Sequence, residues 1–321
     1  MHDPHIYRYV NCPQPRAEQA VMAPVTVTVK KTRQLEPEPF NLNGVGYHMS
    51  SLVGKGAYGA VFTMSSACNN KLAVKLVVPK THEDIKKFNR EVYTMRAMDH
   101  ENIVKVLDSR KAVFSDAKYI VMEHCANGDL FSLAEEGKCT PENTHLFFCQ
   151  TIRAVNYIHM LGFVHKDLKP ENILIFTSEL VKLCDFGATE PFSVEDSKET
   201  RKRYHGGTPE HFSPQKYLKL PTLGTKDDIW ALGITLYFMQ TNGYTIWDKP
   251  CVTDQHYKSW LMKKTSCSEF QKVASDDDDL KIVFIRMLEE DEERRWSATD
   301  VIQSAYCRRQ PRKLQQKLIK Y

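Results

Sequence analysis

The chain has 321 residues, of which 42% are hydrophobic and 26% charged, enough to build one large domain or two lobes of one unit. A net charge of only +4 gives no electrostatic case for nucleic acid, no run approaches the ~18 apolar residues of a membrane span, and the N-terminal "MHDPHIYRYV" lacks a leader's basic-then-apolar pattern. Nine cysteines, an odd total with no Cys-x-x-Cys pair, point to reduced thiols in cytosol or nucleus rather than to a disulfide framework.

Residues 1–46 carry "CPQPRAEQAVMAP" and "EPEPF" without periodicity, and are expected to form a disordered, Pro-rich arm. From residue 47 the pattern changes. "YHMSSLVGKGAYGAVFTMSS" reads as strand, Gly-rich turn, strand, and "KLAVKLVVP" as a further strand ended by proline. Residues 82–98 read as a helix with Ile85, Phe88, Val92 and Met95 on one face and Glu91 beside them. "NIVKVLDS" and "KYIVMEHC" add two strands. This is a small, mostly antiparallel sheet with one main helix. After Gly128 helices dominate. Thr140-Pro141 is an N-cap and first-turn proline for a helix that stops before Gly162. "DDIWALGITLYFMQTNG" predicts a buried helix, and "DDDDLKIVFIRMLEE" another behind an acidic, solvated loop. The basic tail from residue 307, with "RRQPRKLQQKLIKY", reads as a solvated helix end. The chain class is therefore α+β.

Four groups of residues carry chemistry. "VGKGAYGAV" spans Val53, Gly54, Lys55, Gly56, Ala57, Tyr58, Gly59, Ala60 and Val61. Its three glycines let backbone N–H groups lie close to a phosphate. Taken alone this signal is weak, and the strand that follows argues against a dinucleotide-binding fold, which needs a helix there. Lys75 sits in an apolar strand, where a buried ammonium needs an anion, and Glu91 on the inward side of the next helix supplies one. A lysine reaching to solvent is the ordinary alternative. "HKDLKPEN" then offers Asp167 as a proton acceptor, Lys169 as a cation for a phosphoryl group and Asn172 as an oxygen ligand. "DFG" follows with Asp185 as a second oxygen donor of the kind magnesium prefers. A polar turn between strands is the bland reading, and the occurrence of all four parts in order weighs against it.

In that order the motifs resemble the signature set of the eukaryotic protein kinases, over roughly residues 47–306. The resemblance implies a bilobal fold, with an N-lobe at 47–124, a C-lobe at 128–306 and ATP with magnesium in the cleft. It implies that Lys75 holds phosphates and Glu91 holds Lys75, that Asp167 positions a substrate hydroxyl, and that Asn172 and Asp185 bind Mg2+. Met122 would stand at the back of the adenine site, Glu123 to Cys125 would form the hinge, and Asp129 would reach the ribose. Val61, Ala73 and Leu174 would sandwich the ring. Lys169 and "GGTPEHFSP" with Thr208 resemble serine/threonine rather than tyrosine kinases. "KFNREV", "NGDLF" and "ENILIF" carry a fainter resemblance to the SH3-binding-kinase group. The implied partner is a protein substrate, with the Pro-rich arm and basic tail as candidate docking segments. A scaffold that holds ATP without chemistry is the rival reading. Such chains commonly lose a residue equivalent to Lys75, Asp167 or Asp185, and none is lost here.

Three departures stand out. Lys166 replaces the Arg expected before the catalytic Asp. "SPQ" puts Gln215 where a Glu usually faces Arg295, leaving that cation less well neutralised. Phe238 replaces an acid that favours basic substrates. Tyr204 stands at the place of the usual loop Thr, amid Arg201, Lys202 and Arg203. These cations are expected to crowd Lys166, where a phosphate would bridge them, but the Ser/Thr acceptor for self-activation is absent there, so the site is expected to work with little dependence on loop phosphorylation. Cys184 is expected to line the pocket as packing. The histidines and cysteines show no metal-ligand spacing.

Overall fold

The computed structural model describes residues 36–56, 59–274 and 276–309. Ala57 and Tyr58 of the glycine loop, most of the N-terminal arm and the tail beyond Arg309 lie outside them.

The first part of the chain is an antiparallel sheet of six strands in the order β1-β2-β3-β4-β6-β5. The strands are β1 (Phe40–Leu42), β2 (Val45–Gly56), β3 (Gly59–Ser66), β4 (Lys71–Val77), β5 (Val106–Lys111) and β6 (Lys118–Glu123). Helix α1 (His82–Arg96) follows β4. Alternation along β4 decides what faces what: Leu72, Val74 and Leu76 join an apolar cluster with Phe62, Met64, Tyr119 and Val121. Lys75 therefore points to the opposite face, with Val61 and Ile120 as its neighbours in register. Helix α1 starts at a capping box between Thr81 and Asp84 and buries Phe88, Glu91, Val92 and Met95.

The expected boundary of the arm at residue 46 falls inside β2. Residues from Phe40 on already belong to the sheet because the apolar cluster needs a cover: Phe40, Leu42 and Val45 pack on it. Arg110 lies 4.4 Å over the Phe40 ring, and Glu38 accepts the backbone N–H groups of Val113 and Phe114.

The second part opens with α2 (Leu130–Glu135) and α3 (Pro141–Met160), the latter capped by Thr140 as expected. Short strands β7 (Phe163–Val164), β8 (Ile173–Thr177), β9 (Leu180–Leu183) and β10 (Glu190–Pro191) frame the polar motifs. β8 pairs with β9, and β10 returns to pair with β7. A small hairpin of β11 (Val194–Glu195) and β12 (Lys198–Glu199) leads to α4 (Pro214–Tyr217) and α5 (Gly224–Gln240). Helix α5 is buried along nearly its whole length and is the axis of the helical core. Around it lie α6 (Gln255–Lys263), α7 (Ser268–Ala274), α8 (Asp278–Met287), α9 (Ala298–Ile302) and α10 (Ala305–Arg308). Trp230, Trp247, Trp260, Phe270 and Phe284 fill the space between them. No helix among the described residues is long and apolar enough to cross a membrane.

One surface reading changes. The acidic run is not merely a solvated loop: Asp277 caps α8 through the Leu280 N–H, and Asp277 and Asp279 both hold the Arg309 guanidinium, at 2.5 Å. Arg309 has a planar fork and two carboxylates within reach, a geometry that favours paired hydrogen bonds.

Arg295 is 1% exposed and among the described residues makes no ion pair, so its donors rest on neutral oxygens. Nε donates to the Glu289 carbonyl at 2.8 Å, one Nη to the Lys226 carbonyl at 3.0 Å and the other to the Gln215 side chain at 3.2 Å. Burial pulls its pKa down to about 10. Gln215 uses both ends of its amide, because its N–H group also donates to the Glu290 carbonyl at 2.5 Å. The replacement of the usual acid is thus compensated by a donor that a carboxylate lacks. Gln215→Ala should remove both bonds and cost about 1–3 kcal/mol, read as a lower melting temperature. An unchanged melting temperature would show that water replaces the amide without loss.

Candidate active site

Lys75 lies between two carboxylates. Its ammonium donates to Glu91 Oε1 at 2.6 Å and to Asp185 Oδ1 at 2.8 Å. β4 supplies the lysine, α1 the glutamate, and the turn after β9 the aspartate. Burial alone would pull the lysine pKa down, but the two anions outweigh it and raise it, so the ammonium stays charged. Asp185 is held below the ordinary carboxylate range: burial works against this, and Lys75 is the largest influence in its favour.

Asp185 takes a left-handed backbone conformation, φ +58°, and accepts the Gly187 N–H at 3.4 Å. A Cβ at Gly187 would stand 3.3 Å from Asp185, 3.4 Å from Glu91 and 3.5 Å from Lys75. Glycine leaves that space to the charged groups. Phe186, 1% exposed, anchors the turn edge-on against His165, with ring centroids 5.1 Å apart.

Asp167 sits across the site in a second polar cluster. Its Oδ1 accepts the Thr208 hydroxyl at 2.7 Å, and its Oδ2 lies 3.2 Å from both the Lys169 ammonium and the Asn172 amide. Lys169 also donates to the Thr208 hydroxyl at 2.9 Å. Asn172 donates to the Asp167 carbonyl at 2.8 Å, and its own carbonyl takes the Cys184 N–H. That last bond joins the Asp167 turn to the residue just before Asp185. The ring of His211 is buried beside Asp167 and Lys169 with neither nitrogen hydrogen-bonded among the described residues. Desolvation pulls its pKa down to about 4 and keeps it neutral.

The residue that holds this loop was not singled out from the sequence. Asp228, on the first turns of α5 and 1% exposed, accepts the backbone N–H groups of His165 and Lys166, both at 2.8 Å. His159 donates to it at 2.9 Å. Lys166 itself is left-handed, φ +71°, so the carboxylate fixes a strained backbone one residue before Asp167. The available signal was an acid opening an otherwise apolar, buried helix.

The remaining predicted residues border the same region. Gly54, Lys55 and Gly56 of β2 pair with Val61, Ala60 and Gly59 of β3, and Val53 is exposed. Gly59 has a packing reason as well: a Cβ there would stand 2.2 Å from the Leu76 carbonyl oxygen. Ala73 pairs with Met122, which is buried at the end of β6. Glu123 is drawn into an ion pair with Lys182 at 2.9 Å and accepts the Lys105 N–H, so its side chain braces the end of β6. Asp129 caps α2 through the Ser132 N–H at 2.7 Å and bridges to Leu174. Cys125 and Cys184 are thiols whose pKa burial raises, which leaves them unreactive.

Comparison with known proteins meets this geometry. The family described as "Protein kinase domain" matches residues 47–307. CBL-interacting protein kinase 15 of Oryza sativa is 33% identical over 222 residues, covering 66% of this chain and 49% of that protein. Serine/threonine-protein kinase HAL4/SAT4 of Saccharomyces cerevisiae is 33% identical over 267 residues, covering 77% of this chain and 42% of that protein. Serine/threonine-protein kinase STK11 of Gallus gallus is 30% identical over 277 residues, covering 82% of this chain and 60% of that protein. The chain thus spans less than two thirds of the length of these relatives.

Asp228 gives a pH test. Burial alone would raise its pKa, but His159 and the backbone donors hold it below the ordinary value. Its contribution to stability is therefore complete above the unfolded value of about 4 and is lost as pH falls through the folded one. Asp228→Asn should lower the melting temperature at neutral pH and flatten its decline as pH falls below about 4. Parallel acid limbs for variant and parent would count against this assignment.

Proposed function

The chain belongs to the protein kinase family, and from that premise we propose that it transfers the γ-phosphoryl group of ATP to serine or threonine hydroxyls of protein substrates. The observation that carries the reading is the joined pair of clusters, Lys75–Glu91–Asp185 and Asp167–Lys169–Thr208, each with its charged groups within hydrogen-bond distance.

The residues present suit magnesium and ATP. Asp185 spends Oδ1 on Lys75 and is 46% exposed at its side chain, which leaves its second oxygen open to a cation. Asn172 spends its N–H group on Asp167, leaving its amide oxygen as the donor for a metal. Both are hard oxygen ligands of the type magnesium selects. When bound, magnesium-ATP supplies the phosphoryl group and the cation charge that offsets its negative oxygens. Lys75, fixed by Glu91, would hold the phosphates, Val61, Ala73, Met122 and Leu174 would exclude water from the base, and Gly54, Gly56 and Gly59 would offer backbone N–H groups to the phosphates.

Asp167 receives the proton of the acceptor hydroxyl. Its carboxylate is already turned by the Thr208 hydroxyl, so the acceptor meets an oriented base. Lys169 lies beside it, where its ammonium offsets charge developing on the transferred group. Thr208 ties the substrate loop to both residues, which is how an acceptor hydroxyl is seated next to Asp167. Phe238 stands where an acid would draw a basic peptide, and it stacks on Phe131 with centroids 5.4 Å apart. The substrate preference on that side is accordingly not for arginine.

Asp167→Asn should abolish transfer, by at least a hundredfold, while nucleotide affinity stays within a few-fold, because the base is lost and the phosphate contacts are not. Lys75→Met should lower both transfer and nucleotide affinity. Turnover by Asp167→Asn near that of the parent would refute the assignment of the base. Unchanged transfer and nucleotide affinity in Lys75→Met would refute the assignment of Lys75 to the phosphates.

A further inference from the structure

The ammonium of Lys166 is 8% exposed and lies one residue from Asp167. A buried cation there needs an anion. In place of a phosphate on the segment around Tyr204, the structure provides a carboxylate. Glu190, on β10, hydrogen-bonds Lys166 through Oε1 and Lys202 through Oε2, the second contact at 2.7 Å. Its backbone position is set independently, because Glu190 pairs with Val164 of β7, two residues before Lys166.

The other groups agree with this arrangement. Arg201 turns away to Glu292 and Glu293 and does not crowd Lys166. Lys202 is pinned by two backbone hydrogen bonds to Thr222, each 3.0 Å. The Tyr204 ring lies 5.5 Å from the Lys166 ammonium and 5.4 Å from that of Lys202. The ring is 7% exposed and packs on Gly224, where a Cβ would stand 2.6 Å from the phenol oxygen. Its hydroxyl is buried without a hydrogen-bond partner among the described residues. A modifying enzyme has no access to that hydroxyl, and a phosphate on it would meet Glu190 as a like charge. Lys166, Glu190, Lys202 and Tyr204 therefore form a closed set that joins the loop of Asp167 to the segment leading to Thr208.

We infer that Glu190 is a positioning residue: its carboxylate does from within the chain what a loop phosphate would do, tying Lys166 to Lys202 so that Asp167 and Thr208 are set for transfer without prior phosphorylation. Burial alone would raise the Glu190 pKa, but its hydrogen bonds to Lys166 and Lys202 prevail and lower it, so the carboxylate is charged at neutral pH. The inference rests on the proposed phosphoryl transfer, and its test separates the two.

The experiment uses the full chain, before and after phosphatase treatment, with Glu190→Gln and Lys202→Met. Turnover, the KM for ATP, melting temperature and amide hydrogen exchange over residues 198–206 are read for each. Phosphatase treatment should change the turnover of the parent by less than twofold. Glu190→Gln should lower kcat tenfold or more with KM for ATP within threefold and faster exchange over 198–206. Lys202→Met removes only the half-exposed arm of the bridge, so folding survives, and it should lower kcat in the same direction by a smaller factor. A tenfold loss on phosphatase treatment overturns the inference, as does kcat within twofold of the parent in both variants. If the parent shows no transfer at all, the proposed function fails, and the exchange data still decide the bridge: faster exchange in Glu190→Gln supports it, and unchanged exchange refutes it.

Discussion

A buried ammonium flanked by two carboxylates is the constraint on which the rest depends. Lys75 is 13% exposed at its side chain, and a cation so placed is tolerated only if its partners are close and oriented. Meeting that need requires three separate parts of the chain to converge. β4 must present Lys75 away from the outer apolar cluster, α1 must bury Glu91, and the turn after β9 must place Asp185 in a left-handed conformation. Breaking any one leaves a charge uncompensated in a low-dielectric site, so the three elements are held together by the cost of their separation.

A second buried charge organises the opposite wall. Asp228 sits inside the helical core and receives backbone donors from the strained turn that carries Asp167. The two walls meet through short covalent and hydrogen-bonded paths: Asn172 contacts Asp167 on one side and takes the Cys184 N–H on the other, and Cys184 precedes Asp185. Glu190 adds a third anchored carboxylate, beyond the Asp167 turn, and couples it to the segment that ends at Thr208. In each case a rigid element fixes one carboxylate, which then fixes a loop. This is how a site assembled mostly from turns acquires a defined geometry.

Much of this was legible in the sequence where local pattern and chemistry coincide. The apolar strand that carries Lys75, the stripe that buries Phe88, Val92 and Met95 with Glu91, and the capped helix after Thr140 all follow from local pattern and capping residues. Asp167, Lys169, Asn172 and Asp185 stood out because polar residues interrupt apolar strands. What escaped depends on contacts between distant segments. Residues 36–46 read as arm from their prolines, yet Phe40 and Leu42 are held by an apolar face built from β3, β4 and β6. Glu190 looks like an ordinary surface acid until β10 folds back onto β7 beside Lys166. Helices α6 and α7 are short, and their packing on the aromatic core rather than strong local propensity specifies them. Gln215 shows the same limit in reverse. The departure from the usual acid was visible, but the Glu290 carbonyl that makes an amide useful was not.

The central claim is that these converging charges make a working phosphotransferase and not a nucleotide-holding scaffold. The most direct measurement is to incubate the purified chain with magnesium and γ-labelled ATP and a mixed library of serine-, threonine- and tyrosine-containing peptides, then identify the labelled amino acids. The account predicts magnesium-dependent label on serine and threonine. Nucleotide binding without any label on peptide, or label confined to tyrosine, would contradict it.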